Sequence, residues 1–278
     1  MTERRFYSIR SGRNPNCAGF DLPEFLELFI KLYGHMAKDG YFDENFGFYC
    51  VDSGEMPGKV ADIEYEVLLK LRKKNIWPIL KRYKSYSEDD IFDVIELLFE
   101  YVSKPIDGTY HSWNDCGMHW ETFNKTEGQK EYHQKVNELL ALYNRPFVLS
   151  TAGEILARPE KGFEKIFESD IPSKDCNVVS RIDAAVIKFR KHGASLEDRR
   201  LAVRDLADVL EYLRPKLQAL LTKKDENDLF TIANNFGIRH HNDKQKTNYD
   251  QSIWLSWMFY FYLSTIHVAL RKMGEISS

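Results

Sequence analysis

The sequence predicts a mainly α-helical chain of two helical domains, residues 1–160 and 173–278, the first carrying a small β-hairpin and the second a four-helix bundle. Three observations lead there. Apolar residues recur at spacings of three and four through most of the 278 positions. Two short apolar runs break that rhythm at 145–158, RPFVLSTAGEILAR, around Ser150 to Gly153, and read as a hairpin. Directly after them Pro159, Gly162 and Pro172, among mixed charges, mark a boundary near 158–172.

The elements follow in order. Asp21 caps a helix with Pro23 in its first turn; Leu22, Phe25, Leu26, Phe29, Ile30 and Leu32 form its apolar stripe, and Lys38-Asp39-Gly40 close it. A loop with Gly47, Gly54, Pro57 and Gly58 leads to a helix over about 61–74. Ser87 and the acidic run Glu88-Asp89-Asp90 start the next, with Ile91, Val94, Ile95, Leu98, Phe99 and Val102 on its buried side and Pro105 as its stop. Residues 106–126 look aromatic and irregular, and helical spacing returns over 129–143.

In the second half, Val178 to Lys191 forms a helix ending at Gly193. Ser195 caps another that runs past Pro215, where a kink is expected, to about Leu221. A shorter helix over 226–235 and an aromatic final helix complete four, and a bundle is their economical packing. Neither an internal repeat nor a low-complexity tract is present.

Composition narrows the classes. With 39 basic and 42 acidic residues the net charge is −3, which argues against a tail-type nucleic-acid binder and leaves room for a local basic patch. Cys17, Cys50, Cys116 and Cys176 contain no CxxC pair, so a reduced, cytoplasmic protein is expected rather than a disulfide scaffold. The first residues, MTERRFYSIR, lack the apolar run of a secretory signal. IWLSWMFYFYLSTIHVAL, 253–270, has no acidic or basic residue over 18 positions. Its Ser256, Ser264, Thr265 and His267 favour a buried bundle helix, and no membrane is expected as a partner.

Candidate chemistry concentrates at Arg239, His240 and His241, followed by Lys244 and Lys246. An arginine can hold a phosphate through two hydrogen bonds, and a histidine can move a proton near neutral pH, a combination suited to cutting an RNA phosphodiester. The structural alternative is a loop whose arginine pairs with a carboxylate. Arg199 and Arg200, within a basic stretch that also includes Arg181, Lys188, Arg190, Lys191 and Arg204, are candidate RNA-backbone contacts, or else one face laced with salt bridges. His111, Cys116 and His119, with Asp115 as a fourth donor, offer zinc-ligand types at close spacing but no established zinc spacing, and tryptophans on both sides favour a packed loop. The expectation is therefore no metal and no cofactor. Walker-type, GxSxG and HExxH motifs are lacking, which disfavours the corresponding NTPases, hydrolases and zincins.

Two resemblances enter here. Paired long helices, a short helix, the Arg-His element and an aromatic last helix make 173–278 resemble the HEPN superfamily, many of whose members are metal-independent ribonucleases with composite sites in a homodimer. Phe6-Tyr7-Ser8-Ile9-Arg10, Leu71-Arg72, Ile76-Trp77, Ile91 to Glu96, Val136 to Leu140, and Pro146 to Leu149 with Gly153-Glu154-Ile155 make the first half similar to AbiJ-type N-terminal domains of abortive-infection proteins. The resemblance implies a phage-defence protein that binds RNA and cleaves it without metal, Arg239 holding the phosphate and His240 or His241 moving protons. The HEPN pattern leaves four to six residues between its arginine and its histidine, whereas positions five to seven after Arg239 are Lys244, Gln245 and Lys246. That departure supports the rival expectation, a non-catalytic interaction or sensor protein with a separate protein partner.

Overall fold

The computed structural model describes residues 6–14, 19–160, 162–168, 171–218 and 250–276. It is mainly helical, with three small two-stranded antiparallel sheets, and divides into two compact units, Met1–Ile155 and Leu156–Ser278.

The first unit begins with α1 (Tyr7–Arg10) and α2 (Leu22–Lys38). Asp21 starts α2 through a capping box: its carboxylate accepts the Glu24 N–H while the Glu24 side chain accepts the Asp21 N–H. Phe25, Leu26, Phe29, Tyr33 and Met36 then face inward. After α3 (Asp43–Phe46) come β1 (Phe48–Cys50), β2 (Gly54–Met56), α4 (Ile63–Leu71) and α5 (Ile79–Arg82). A second capping box, Ser87 with Asp90, opens α6 (Glu88–Tyr101). Seven residues of α6 are buried, from Ile91 to Phe99, so it is the helix around which this unit packs.

β3 (Lys104–His111) and β4 (Gly117–Asn124) follow, then α7 (Lys125–Leu140), which buries Tyr132, Val136 and Leu140 at four-residue intervals. The Tyr132 hydroxyl donates to the Ile95 carbonyl at 3.1 Å and so ties α7 to α6. β5 (Phe147–Leu149) and β6 (Ile155–Ala157) form the hairpin expected at 145–158. Asn137 secures β5 by pairing with both the N–H and the carbonyl of Leu149, at 2.8 and 2.9 Å.

The segment expected to be irregular, 106–126, is instead the long β3–β4 hairpin. Pro105, Asp107 and Gly108 disguised it, because a register irregularity around Asp107 interrupts the alternation by which a strand is recognised. Gly108 is required there: a Cβ would stand 2.2 Å from the His119 carbonyl oxygen across the ladder.

In the second unit α8 (Glu164–Glu168) precedes α9 (Cys176–Arg190), α10 (Leu196–Leu217) and α11 (Gln251–Ile276). Asp175 caps α9, and Ser195 with Asp198 forms a capping box on α10. α10 runs through Pro215 to Leu217 and packs on both α9 and α11. Ile182, Ala185 and Phe189 from α9, Ala202, Leu206 and Leu210 from α10, and Leu255, Phe259 and Ile266 from α11 share one core. The short helix expected at 226–235 lies outside the described residues. Among the described residues α11 alone has a stretch, Gln251–Gly274, long and apolar enough to cross a bilayer, and 61 % of that window is buried. Packing in the shared core accounts for much of its apolar character.

Candidate metal centre

Four side chains of the first unit converge on one point. The ligand atoms of Cys50, His111, Cys116 and His119 all lie within 4.8 Å of one another. The Cys50 sulfur stands 3.9 Å from His111 Nδ1, and the Cys116 sulfur 3.2 Å from His119 Nε2. A tetrahedral zinc bound at ordinary Zn–S and Zn–N lengths separates its donors by about 3.3–3.8 Å. The two measured separations straddle that range.

Strand geometry explains the convergence. In β1, Phe48 and Cys50 lie on one face, with exposed Tyr49 on the other. The register of β3 with β4 pairs Thr109 with His119 and His111 with Gly117, which puts both histidines on one face of that hairpin. The hairpins meet where Phe48 packs on the His119 ring, centroids 4.8 Å apart, and the two imidazole centroids are 5.0 Å apart.

The turns complete the donor set. Gly54, at φ 75°, reverses the chain after Cys50. First the backbone N–H of Ser53 and then that of Asp52 hold the Cys50 thiol below its ordinary pKa, against the opposing effect of burial. Between β3 and β4 a 3-10 turn, Trp113–Asp115, contains Asn114 and Asp115 at φ 47° and 51°, and Gly117 follows at φ 97°. Asn and Asp tolerate the left-handed region better than other residues with a Cβ, at a cost of about 1–2 kcal/mol each. That coil aims the Cys116 sulfur at His119. Asp115, the fourth donor offered by sequence, is exposed and is not in the cluster. Cys50 takes that place from 61 residues upstream of His111.

A further carboxylate stands behind the centre. His111 Nε2 lies 3.1 Å from Asp52 Oδ2, leaving Nδ1 directed toward Cys50. A histidine that gives one nitrogen to a metal commonly donates its other N–H to a carboxylate, which fixes tautomer and ring orientation. Two thiolates and two imidazoles in a tetrahedral arrangement suit Zn²⁺. Four protein donors leave no position for water or substrate, so such a site would organise the fold rather than activate a nucleophile.

The other candidates are placed differently. Arg239, His240, His241, Lys244 and Lys246 lie outside the described residues. Arg200 reaches Gln251 at 3.2 Å and Glu197 at 3.7 Å. Lys188 pairs with Asp205, and Lys191 with Asp198 at 2.8 Å, so part of the basic stretch on α9 and α10 is laced with ion pairs. Arg199 places its guanidinium 5.4 Å over the Phe189 ring. Compared with known proteins, the chain matches no family model, no curated protein and no solved structure.

Proposed function

We propose that the first unit is a zinc-organised module in which Cys50, His111, Cys116 and His119 hold one structural Zn²⁺ that cross-links two β-hairpins. The observation that carries this is the meeting of four soft and borderline donors, drawn from both hairpins, within 4.8 Å. The test is metal analysis of the purified chain after zinc reconstitution, with cobalt substitution as a geometric probe. One metal per chain, a tetrahedral cobalt spectrum, and loss of both in Cys50→Ala and Cys116→Ala are expected. Absence of stoichiometric metal from the folded, reduced protein would overturn the reading.

For the chain as a whole we propose an RNA-directed, phage-defence role in the cytoplasm, with a HEPN-like second unit acting as a homodimer. The packing of α9, α10 and α11 around one core supports the helical part of that reading. Arg239 would hold a phosphate and His240 or His241 move protons, as the resemblance implies. Purified protein and an Arg239→Ala version are incubated with RNA in magnesium-free buffer without chelator, since a chelator would also strip the zinc centre. Cuts with 2′,3′-cyclic phosphate ends, lost in the variant, are expected. RNA that is bound but left intact would favour the non-catalytic sensor reading.

A further inference from the structure

In the second unit two arginines lose part or all of their water without, among the described residues, an acid paired to either. Arg190, the last residue of α9, is 8 % exposed. Its Nε donates to the Ala157 carbonyl at 3.0 Å, and its guanidinium carbon lies 4.4 Å over the Phe167 ring. Burial pulls its pKa down to about 10. Arg199, in the first turn of α10, covers Phe189 and has a fully buried Nε with no hydrogen-bond partner. Among the described residues neither guanidinium forms an ion pair, although the neighbouring Lys188, Lys191 and Arg200 all do.

The two guanidiniums flank one tyrosine through their aromatic supports. Tyr260 lies between their aromatic supports, its ring centroid 5.9 Å from Phe167 and 6.2 Å from Phe189. The Tyr260 hydroxyl accepts the Glu160 N–H at 3.3 Å; burial raises its pKa, the Glu160 charge adds to that, and the Arg190 and Arg199 charges oppose it. Arg190 is buried, Arg199 half-buried and Glu160 exposed, and the three leave a net charge of +1 in a partly desolvated setting, where an unbalanced charge is costly. A singly charged oxyanion would balance it, and guanidinium forks match phosphate oxygens.

We propose that Arg190, Arg199 and the Tyr260 hydroxyl form an oxyanion site for a phosphate group carrying one negative charge. The site stands independently of the zinc centre; it rests on the RNA-directed reading only in identifying that phosphate as a phosphodiester of RNA.

The test titrates the full chain with inorganic phosphate and with a short single-stranded RNA by calorimetry, for wild type, Arg199→Gln and Tyr260→Phe, each checked for folding by circular dichroism. Saturable phosphate binding that weakens at least about tenfold in Arg199→Gln is expected, as loss of a charge-assisted hydrogen bond implies. Tyr260→Phe removes one hydroxyl from the site, should weaken phosphate binding in the same direction, and decides the matter if Arg199→Gln does not fold. Parallel loss of RNA affinity would identify the phosphate as that of RNA, whereas unchanged RNA affinity would assign the site to a free phosphate or nucleotide. No binding of phosphate by wild type, or equal binding by the folded variants, would overturn the proposal.

Discussion

Removing the metal should weaken the first unit by an amount that can be worked from the chain. The ligands Cys50 and His111 are 61 residues apart, and closing a loop of that length in the unfolded ensemble is worth about 4 kcal/mol at room temperature in the chain-entropy model. Against this, Asn114 and Asp115 are freed to leave the left-handed region, returning about 1 kcal/mol each. The net loss expected on taking out the zinc is therefore about 2 kcal/mol, with the left-handed cost taken at its lower end. For a urea slope of about 2 kcal/mol per molar, the midpoint should fall by about 1 M.

The assay is urea unfolding of the zinc-loaded protein and of the same protein after chelation. Trp77, Trp113 and Trp120 report on the first unit once Trp254 and Trp257 have been changed to Phe. Unfolding of the second unit, followed separately in protein retaining its tryptophans, should keep its midpoint. An unchanged midpoint for the first unit, with metal analysis showing the zinc gone, would refute the reasoning, because the four donors would then not be acting as a cross-link.

Other perturbations probe the surroundings. Burial lifts the Asp43 carboxyl to about 6, above its unfolded value, so its contribution to stability is intact below about pH 4 and is lost as pH rises through 6. Asp43→Asn should accordingly raise the melting temperature at pH 8 and leave it nearly unchanged at pH 3.5; a gain confined to low pH would contradict the assignment. Gly128→Ala, which in an open helix would gain about 1 kcal/mol, should instead cost about 1–3 kcal/mol by urea unfolding. The added Cβ would meet the Lys104 nitrogen at 2.5 Å and the Ser103 Cα at 2.7 Å, backbone atoms that cannot swing aside, and a stabilised variant would show that this approach is looser than described.

Local signals carried far along this chain because their physics is local. Asp21 with Glu24, Ser87 with Asp90 and Ser195 with Asp198 cap their helices within a single turn, and the stripes at three- and four-residue spacing became the buried faces. The hairpin at 145–158 was legible from two clean apolar runs. The β3–β4 hairpin was not, since an irregular register around Asp107 hides its period of two.

The proposed metal centre divides along the same line. His111, Cys116 and His119 stood out by type and proximity because a single hairpin supplies all three. Cys50 and Asp52 did not, because their spacing from His111 reflects how β1 folds back on β3 and β4, a pairing that no local preference encodes. The balance of charge around Arg199 was likewise out of reach, since a list of basic residues does not say which of them lose their water. By itself the sequence determined the described helices and their caps, through interactions that close within a few residues, and marked His111, Cys116 and His119 as donor types in a segment that reads as a packed loop. Only the tertiary structure decided that Cys50 joins them, that Asp52 stands behind His111, and that Arg190 and Arg199 have no ion-pair partner among the described residues, because distance in space and loss of solvent arise only when segments far apart in the chain pack together.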